Sequence, residues 1–297
     1  MRTVLISLVA ILAVSCSKAH TESIALTNKG IKAYQANQLE EAITLFNAAV
    51  TRNPKNDQAL FQLGMIFMYD KQAKDDAEKA RLLDTAESFL NQALAQNAKN
   101  ADVLFQLGRL ALTHNEVDSA LNRFQEAAQF NPNLAAAFYW AGQCFEKKSK
   151  LSDADDQYRK AIEADPFYGR AFAALGLLYL NQGAEEAAKA VLLEGAKINP
   201  DEAAIHHNLG LVHLTLGELD EAVSELSRGL ELDPDDGMAA YNLATALVRK
   251  QRYKEAQFYL KKFLVNPDMQ QSEAIEPARQ LLSAVGVLLA ELAEQGQ

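Results

Sequence analysis

Three histidines, His206, His207 and His213, fall in one short stretch. Imidazole is the side chain best suited to metal binding or proton transfer near neutral pH. His206 and His213 stand seven positions apart, so on a helix they share a face two turns apart. That separation, roughly 10 Å along the axis, is too long for one metal ion to bridge. At equivalent places elsewhere the chain carries Phe138 and Phe145, or Phe172 and Tyr179, so His206 and His213 read as core or edge-of-core residues. His207 falls on the neighbouring face. Of two cysteines, Cys144 lies beside Ala141 and Phe145 on an apolar helical face and reads as a buried, inert thiol. There is no phosphate-cradling loop, nucleophile elbow or cysteine–histidine metal spacing. No catalytic residue, metal site or cofactor is therefore expected.

The elements that would position these residues are helices. Over 203–236, Leu209, Val212 and Leu216 recur at helical spacing, and Gly217 interrupts them. Leu219, Ala222, Val223, Leu226 and Leu230 then line one face of a second helix, which Pro234 stops. This helix–turn–helix is one copy of a repeat. Pro132, Pro166, Pro200 and Pro234 are each 34 residues apart. Gly108, Gly142, Gly176 and Gly210 keep the same step, as do Ala120, Ala154, Ala188, Ala222 and Ala256. Four residues after each alanine comes a large side chain: Phe124, Tyr158, Leu192, Leu226 and Leu260. Three further on the residue is small, with Phe263 as the exception. A fixed period of this length marks a helical array that grows by stacking.

The spacing resembles the tetratricopeptide repeat, carried here by Leu63-Gly64, Leu107-Gly108, Leu175-Gly176 and Leu209-Gly210, and by the alanine, large apolar residue and proline of the second helix. The register gives seven repeats: 23–56, 57–100, 101–134, 135–168, 169–202, 203–236 and 237–270. An all-α solenoid of helical hairpins follows. The second repeat holds a ten-residue insertion near 69–81, read as a longer hairpin or loop. Residues 271–297 read as a C-terminal helix, with Leu281, Leu282, Val285, Leu288, Leu289 and Leu292 on one face. In this family a last helix commonly caps the stack; dimerisation through the leucine-rich face is the other reading.

The resemblance also implies where a partner would bind. In the family the first helices line a concave groove that takes extended peptides or partner helices, at set offsets from the repeat glycine. Those offsets pick out Phe61, Phe105, Arg109, Tyr139, Trp140, Gln143, His207, Asn208, Tyr241, Asn242 and Arg249. Aromatic side chains there offer apolar area with few rotors to freeze, and carboxamides offer both a donor and an acceptor to a peptide backbone. The asparagine ladder of peptide-holding members is broken here by Trp140 and Ala174. The lysine and asparagine that clamp a terminal carboxylate in co-chaperone members are absent. The same asparagines could instead only shape the helices.

At the N-terminus, Arg2 precedes the apolar run from Val4 to Val14, too short to span a bilayer but right for a signal peptide. Ala13-Val14-Ser15-Cys16 resembles the lipobox of bacterial lipoproteins. On that reading residues 1–15 are cleaved, Cys16 is lipidated, and 16–22 form a tether. That tether would span about 20 Å when extended. No aspartate follows the cysteine, which points to the outer membrane, facing the periplasm; ordinary secretion is the alternative. The net charge of -10 argues against a nucleic-acid partner. Residues 203–236 are strongly acidic and 237–270 basic, which suggests charge pairing between neighbouring repeats. The expected function is a non-enzymatic, membrane-anchored scaffold for a protein or peptide. Two narrower readings stay open: a pilotin-like assembly factor for a pilus, secretion or exopolysaccharide complex, and an adaptor of a periplasmic cell-wall hydrolase. The oligomeric state is open.

Overall fold

The computed structural model describes residues 2–69, 73–266, 269 and 272–295, with side chains from Lys18 onward. Among these residues there are fifteen helices and no strand, so the fold is the expected all-α solenoid. The chain resolves into two compact units, Met1–Lys148 and Ser149–Gln297. The N-terminal unit holds α1 (Arg2–Gln35), α2 (Leu39–Arg52), α3 (Asp57–Met68), α4 (Asp76–Gln96), α5 (Ala101–Thr113), α6 (Val117–Phe130) and α7 (Ala135–Lys147). The C-terminal unit holds α8 (Leu151–Ala164), α9 (Gly169–Asn181), α10 (Glu185–Ile198), α11 (Ala203–Leu216), α12 (Leu219–Leu232), α13 (Gly237–Arg249), α14 (Tyr253–Val265) and α15 (Ile275–Glu294).

The periodic residues explain the packing. A Cβ added to Gly108 would lie 2.6 Å from the Phe124 ring, and one added to Gly64 would lie 2.7 Å from Leu90. The same collision recurs between Gly176 and Leu192 and between Gly210 and Leu226. The large residue of the second helix thus occupies the space that the glycine of the first helix leaves open. Phe124, Leu90, Leu192 and Leu226 are all fully buried, as are the repeat alanines Ala120, Ala188 and Ala222. Overfilling such a core costs as surely as emptying it. Helix starts are set locally. Asn56, Asp75, Asn100 and Asp236 each accept a hydrogen bond from the backbone N–H three residues on, which caps α3, α4, α5 and α13.

Three features depart from or sharpen the sequence reading. Residues 18–22, read as tether, are helical and continue into the first hairpin. Along this stretch Lys18 pairs with Glu22, Glu22 with Arg52 of α2, and His20 with Asn53. Part of the insertion lengthens the second helix, since α4 has 21 residues where α2, α6 and α8 have 14; positions 70–72 lie outside the described residues. Phe263, the exception to the small-residue rule, is fully buried with Ile275, Ala278 and Val285. At the end of the array α15 replaces the first helix of a further hairpin, and a larger side chain fills the space against it. Leu281, Leu282 and Leu289 pack on the same cluster, half-buried.

Candidate functional site

In the N-terminal unit the first helices α3 and α5 are direct neighbours. The side chains on their shared face, together with those of α7, form a continuous row. The Arg109 guanidinium on α5 lies over the Tyr69 ring, 5.4 Å from its centroid, and over the Trp140 ring, 5.6 Å away. Arg109 Nη1 also donates to Tyr69 Oη, and Tyr69 Oη donates to Gln106 Oε1 at 3.0 Å. Trp140 stacks on the buried Phe124 and meets Tyr139 edge-on. Phe105 packs against the same Phe124, and Phe61 against the Leu60–Leu90 cluster, so both are half spent on the core. Gln143 donates to Glu146 at 3.4 Å. Of the six residues chosen from this unit, Arg109, Trp140 and Tyr139 form a chain of contacts, Phe105 joins Trp140 through Phe124, Phe61 is tied to the Leu60–Leu90 cluster and Gln143 to Glu146. Tyr69 and Gln106 belong to that chain of contacts as well; Tyr69 stands five after its repeat glycine and Gln106 two before its own.

The C-terminal unit uses the same offsets differently. Asn208 Nδ2 donates to the Ala173 carbonyl at 2.9 Å, and Arg249 Nη1 donates to the Leu214 carbonyl at 2.7 Å. Asn242 Nδ2 donates to His207 Nε2 at 2.9 Å, and His207 Nδ1 faces Asp236 Oδ2 at 2.8 Å. Each of these donors reaches one repeat back plus one residue, tying neighbouring first helices together. Asn208 and Asn242 are buried, and Tyr241 packs on Phe263 at 5.3 Å. Asn208→Ala is expected to lower the stability of this unit by about 0.5–1.5 kcal/mol, the usual net worth of a buried hydrogen bond. Chemical denaturation followed by far-ultraviolet circular dichroism checks it.

Each of the three histidines makes polar contacts within the fold. His206 and His213 are buried. His206 sits between Glu225, 2.7 Å from Nδ1, and the Pro200 carbonyl, 2.9 Å from Nε2. His213 meets Glu218, which also accepts from Lys189. Those bonds, Lys189 first and His213 second, hold the Glu218 carboxyl below its ordinary value. Burial pushes Asp236 up, but the His207 contact and the Ala239 and Met238 N–H groups outweigh it and leave the carboxyl lowered. Among the described residues no group of three or more His, Cys, Asp or Glu is arranged to hold a metal ion. Cys144 is fully buried, and burial, only partly opposed by Lys147 and Lys148, pushes its thiol up to about 11. The acidic and basic repeats do pair, through Lys250 with Asp220. Cys16 lies outside the residues whose side chains are described. Among the described residues no helix is long and apolar enough to cross a membrane.

The tetratricopeptide-repeat family pattern matches residues 27–101, 105–168 and 207–261, and a second pattern of the same family matches 169–202. The chain is a tetratricopeptide-repeat protein. Such proteins share a protein-interaction architecture, and this one presents the same kind of surface. A tetratricopeptide repeat protein from Parabacteroides merdae superposes with a TM-score of 0.62 at 17% identity, over 89% of this chain and 99% of that one. Yeast Tom70 gives 0.58 at 14% identity, over 93% of this chain and 56% of its own. A structure titled for the functional characterization of Pseudomonas aeruginosa pilF gives 0.53 at 23%, over 66% and 92%. At these identities the likeness speaks to the fold. No characterised protein matches the chain in sequence.

Proposed function

We propose that this tetratricopeptide-repeat protein is a lipid-anchored, non-enzymatic scaffold that holds an extended segment of a partner protein on the first-helix face of its N-terminal unit. The observation that carries the reading is the row Tyr69, Arg109, Trp140 and Tyr139. It draws from three consecutive hairpins, and its rings and guanidinium are only partly covered by the fold. Flat aromatic groups around an oriented cation are a common composition of interaction hot spots. The lipid anchor rests on Arg2, the apolar run to Val14 and the Ala13–Cys16 motif, with the outer membrane as its place. A pilus, secretion or exopolysaccharide assembly role, or a role beside a cell-wall hydrolase, is a narrower case that the partner's identity decides.

Chemical crosslinking in native cells followed by capture from the membrane fraction tests both parts. The intact chain is expected to bring down a defined partner, Tyr139→Ala to lose most of it, and Asn208→Ala to keep it. Equal capture by Tyr139→Ala would move the site off this face. In the same experiment Cys16→Ala is expected to leave the membrane fraction; unchanged fractionation would remove the anchor from the reading.

A further inference from the structure

We infer that the segment taken by this face is acidic, and that Arg109 receives a carboxylate side chain, Asp or Glu, from its interior. The inference rests on the scaffold reading above and adds the chemistry of the partner. Among the described residues no carboxylate pairs with Arg109; its contacts are the Tyr69 hydroxyl and the faces of Tyr69 and Trp140. Glu146, the acid on the same face, is engaged by Gln143 one turn back. A guanidinium carries five N–H donors in a planar fork. Rings lie on its faces and Nη1 donates to the Tyr69 hydroxyl, so the remaining donors of the edge are where a carboxylate binds. The Tyr69–Gln106 hydrogen bond and the Phe124–Trp140 stack fix both rings, so the cation is oriented before a ligand arrives.

The position in the row selects an internal side chain over a chain end. Phe61 precedes Arg109 by one hairpin and Tyr139 follows it by one, so a segment laid across Arg109 has surface to continue on in both directions. The protein as a whole is acidic, with a net charge of -10, so general electrostatics disfavour an acidic ligand and the attraction must be local.

Trp140 is the only tryptophan of the chain and lies against Arg109, so its emission reports directly on the site. The full-length protein in mild detergent is titrated with three peptides of about twelve residues: alternating Glu and Ala with both ends blocked, alternating Gln and Ala with both ends blocked, and the Gln peptide with a free C-terminal carboxylate. The blocked Glu peptide is expected to change Trp140 emission saturably and to bind at least about ten-fold more tightly than either Gln peptide. Arg109→Gln is expected to abolish the difference and Arg109→Lys to retain part of it, because lysine keeps the charge without the planar fork. Equal binding of the blocked Glu and Gln peptides, or an unchanged preference in Arg109→Gln, overturns the acid specificity. If both then also weaken in Tyr139→Ala, the scaffold face survives without it. Tighter binding of the free-end peptide overturns the internal side chain in favour of a terminus. No saturable response to the Glu peptide overturns the inference outright, while capture of a partner in the crosslinking experiment still decides the scaffold reading separately.

Discussion

Replacing Phe124 with alanine is expected to destabilise the N-terminal unit by about 3–5 kcal/mol, the cost of emptying a fully buried aromatic site. Phe124 is completely shielded from solvent, fills the space over Gly108, and supports both Phe105 and Trp140. Denaturant titration with Trp140 emission as the probe reads the change in midpoint. The geometry also predicts a coupling. A methyl at Gly108 collides with the Phe124 ring, so Gly108→Ala alone should cost about 1–3 kcal/mol by overpacking. With Phe124 already alanine the collision is gone, and Gly108→Ala should then cost far less. A double-mutant cycle showing additive effects would mean that the two residues do not share this space.

The second large effect is expected at Asp236. Its carboxylate caps α13 by accepting from the Ala239 N–H at 2.9 Å and faces His207 at 2.8 Å. Asp236→Ala removes the cap and one side of a charge-assisted pair, and should cost the C-terminal unit about 1–3 kcal/mol. The pH dependence has a definite sign. The folded carboxyl is held below the ordinary 3.8, so its stabilising contribution is fully present above that value and is lost as pH falls through the lower folded value. Asp236→Asn keeps a cap acceptor but has no charge to titrate. Stability curves of the wild type and Asp236→Asn should therefore run parallel above about pH 5 and converge on acidification. Curves that stay parallel down to pH 2 would remove the carboxylate from the acid response.

Most of the fold was legible because its causes are local and repeated. The 34-residue step of proline, glycine and alanine encodes a helix stop, a close approach and a packed interface, and each recurs where the step places it. Residues 18–22, expected as tether, are helical and meet Arg52 and Asn53, partners that no period announces. The site was half legible. Offsets from the repeat glycine located Arg109 and Trp140, because those offsets follow from helix geometry alone. They did not reveal that Tyr69 closes over Arg109, since that contact crosses to the preceding hairpin. Nor could they separate Asn208 and Arg249, whose donors are spent on backbone carbonyls one repeat back, from side chains left available to a ligand. The offset says where on a helix a residue stands and not what it bonds; the spacing of 35 between donor and acceptor, repeated at His207 and Asn242, marks the donors that are spent within the fold.

The helical character of residues 18–22 bears on how the protein would work at a surface. An extended tether swivels, and the domain it carries samples many orientations. A helix that runs unbroken from upstream of Lys18 into the first hairpin behaves as a stiff lever, rising only about 1.5 Å per residue. With the lipid proposed on Cys16, the face bearing Arg109 would be held near the bilayer at a preferred angle. Encounter with a partner embedded in the same membrane would then depend on lever geometry, which sets a high local concentration for targets at one height and almost none for others.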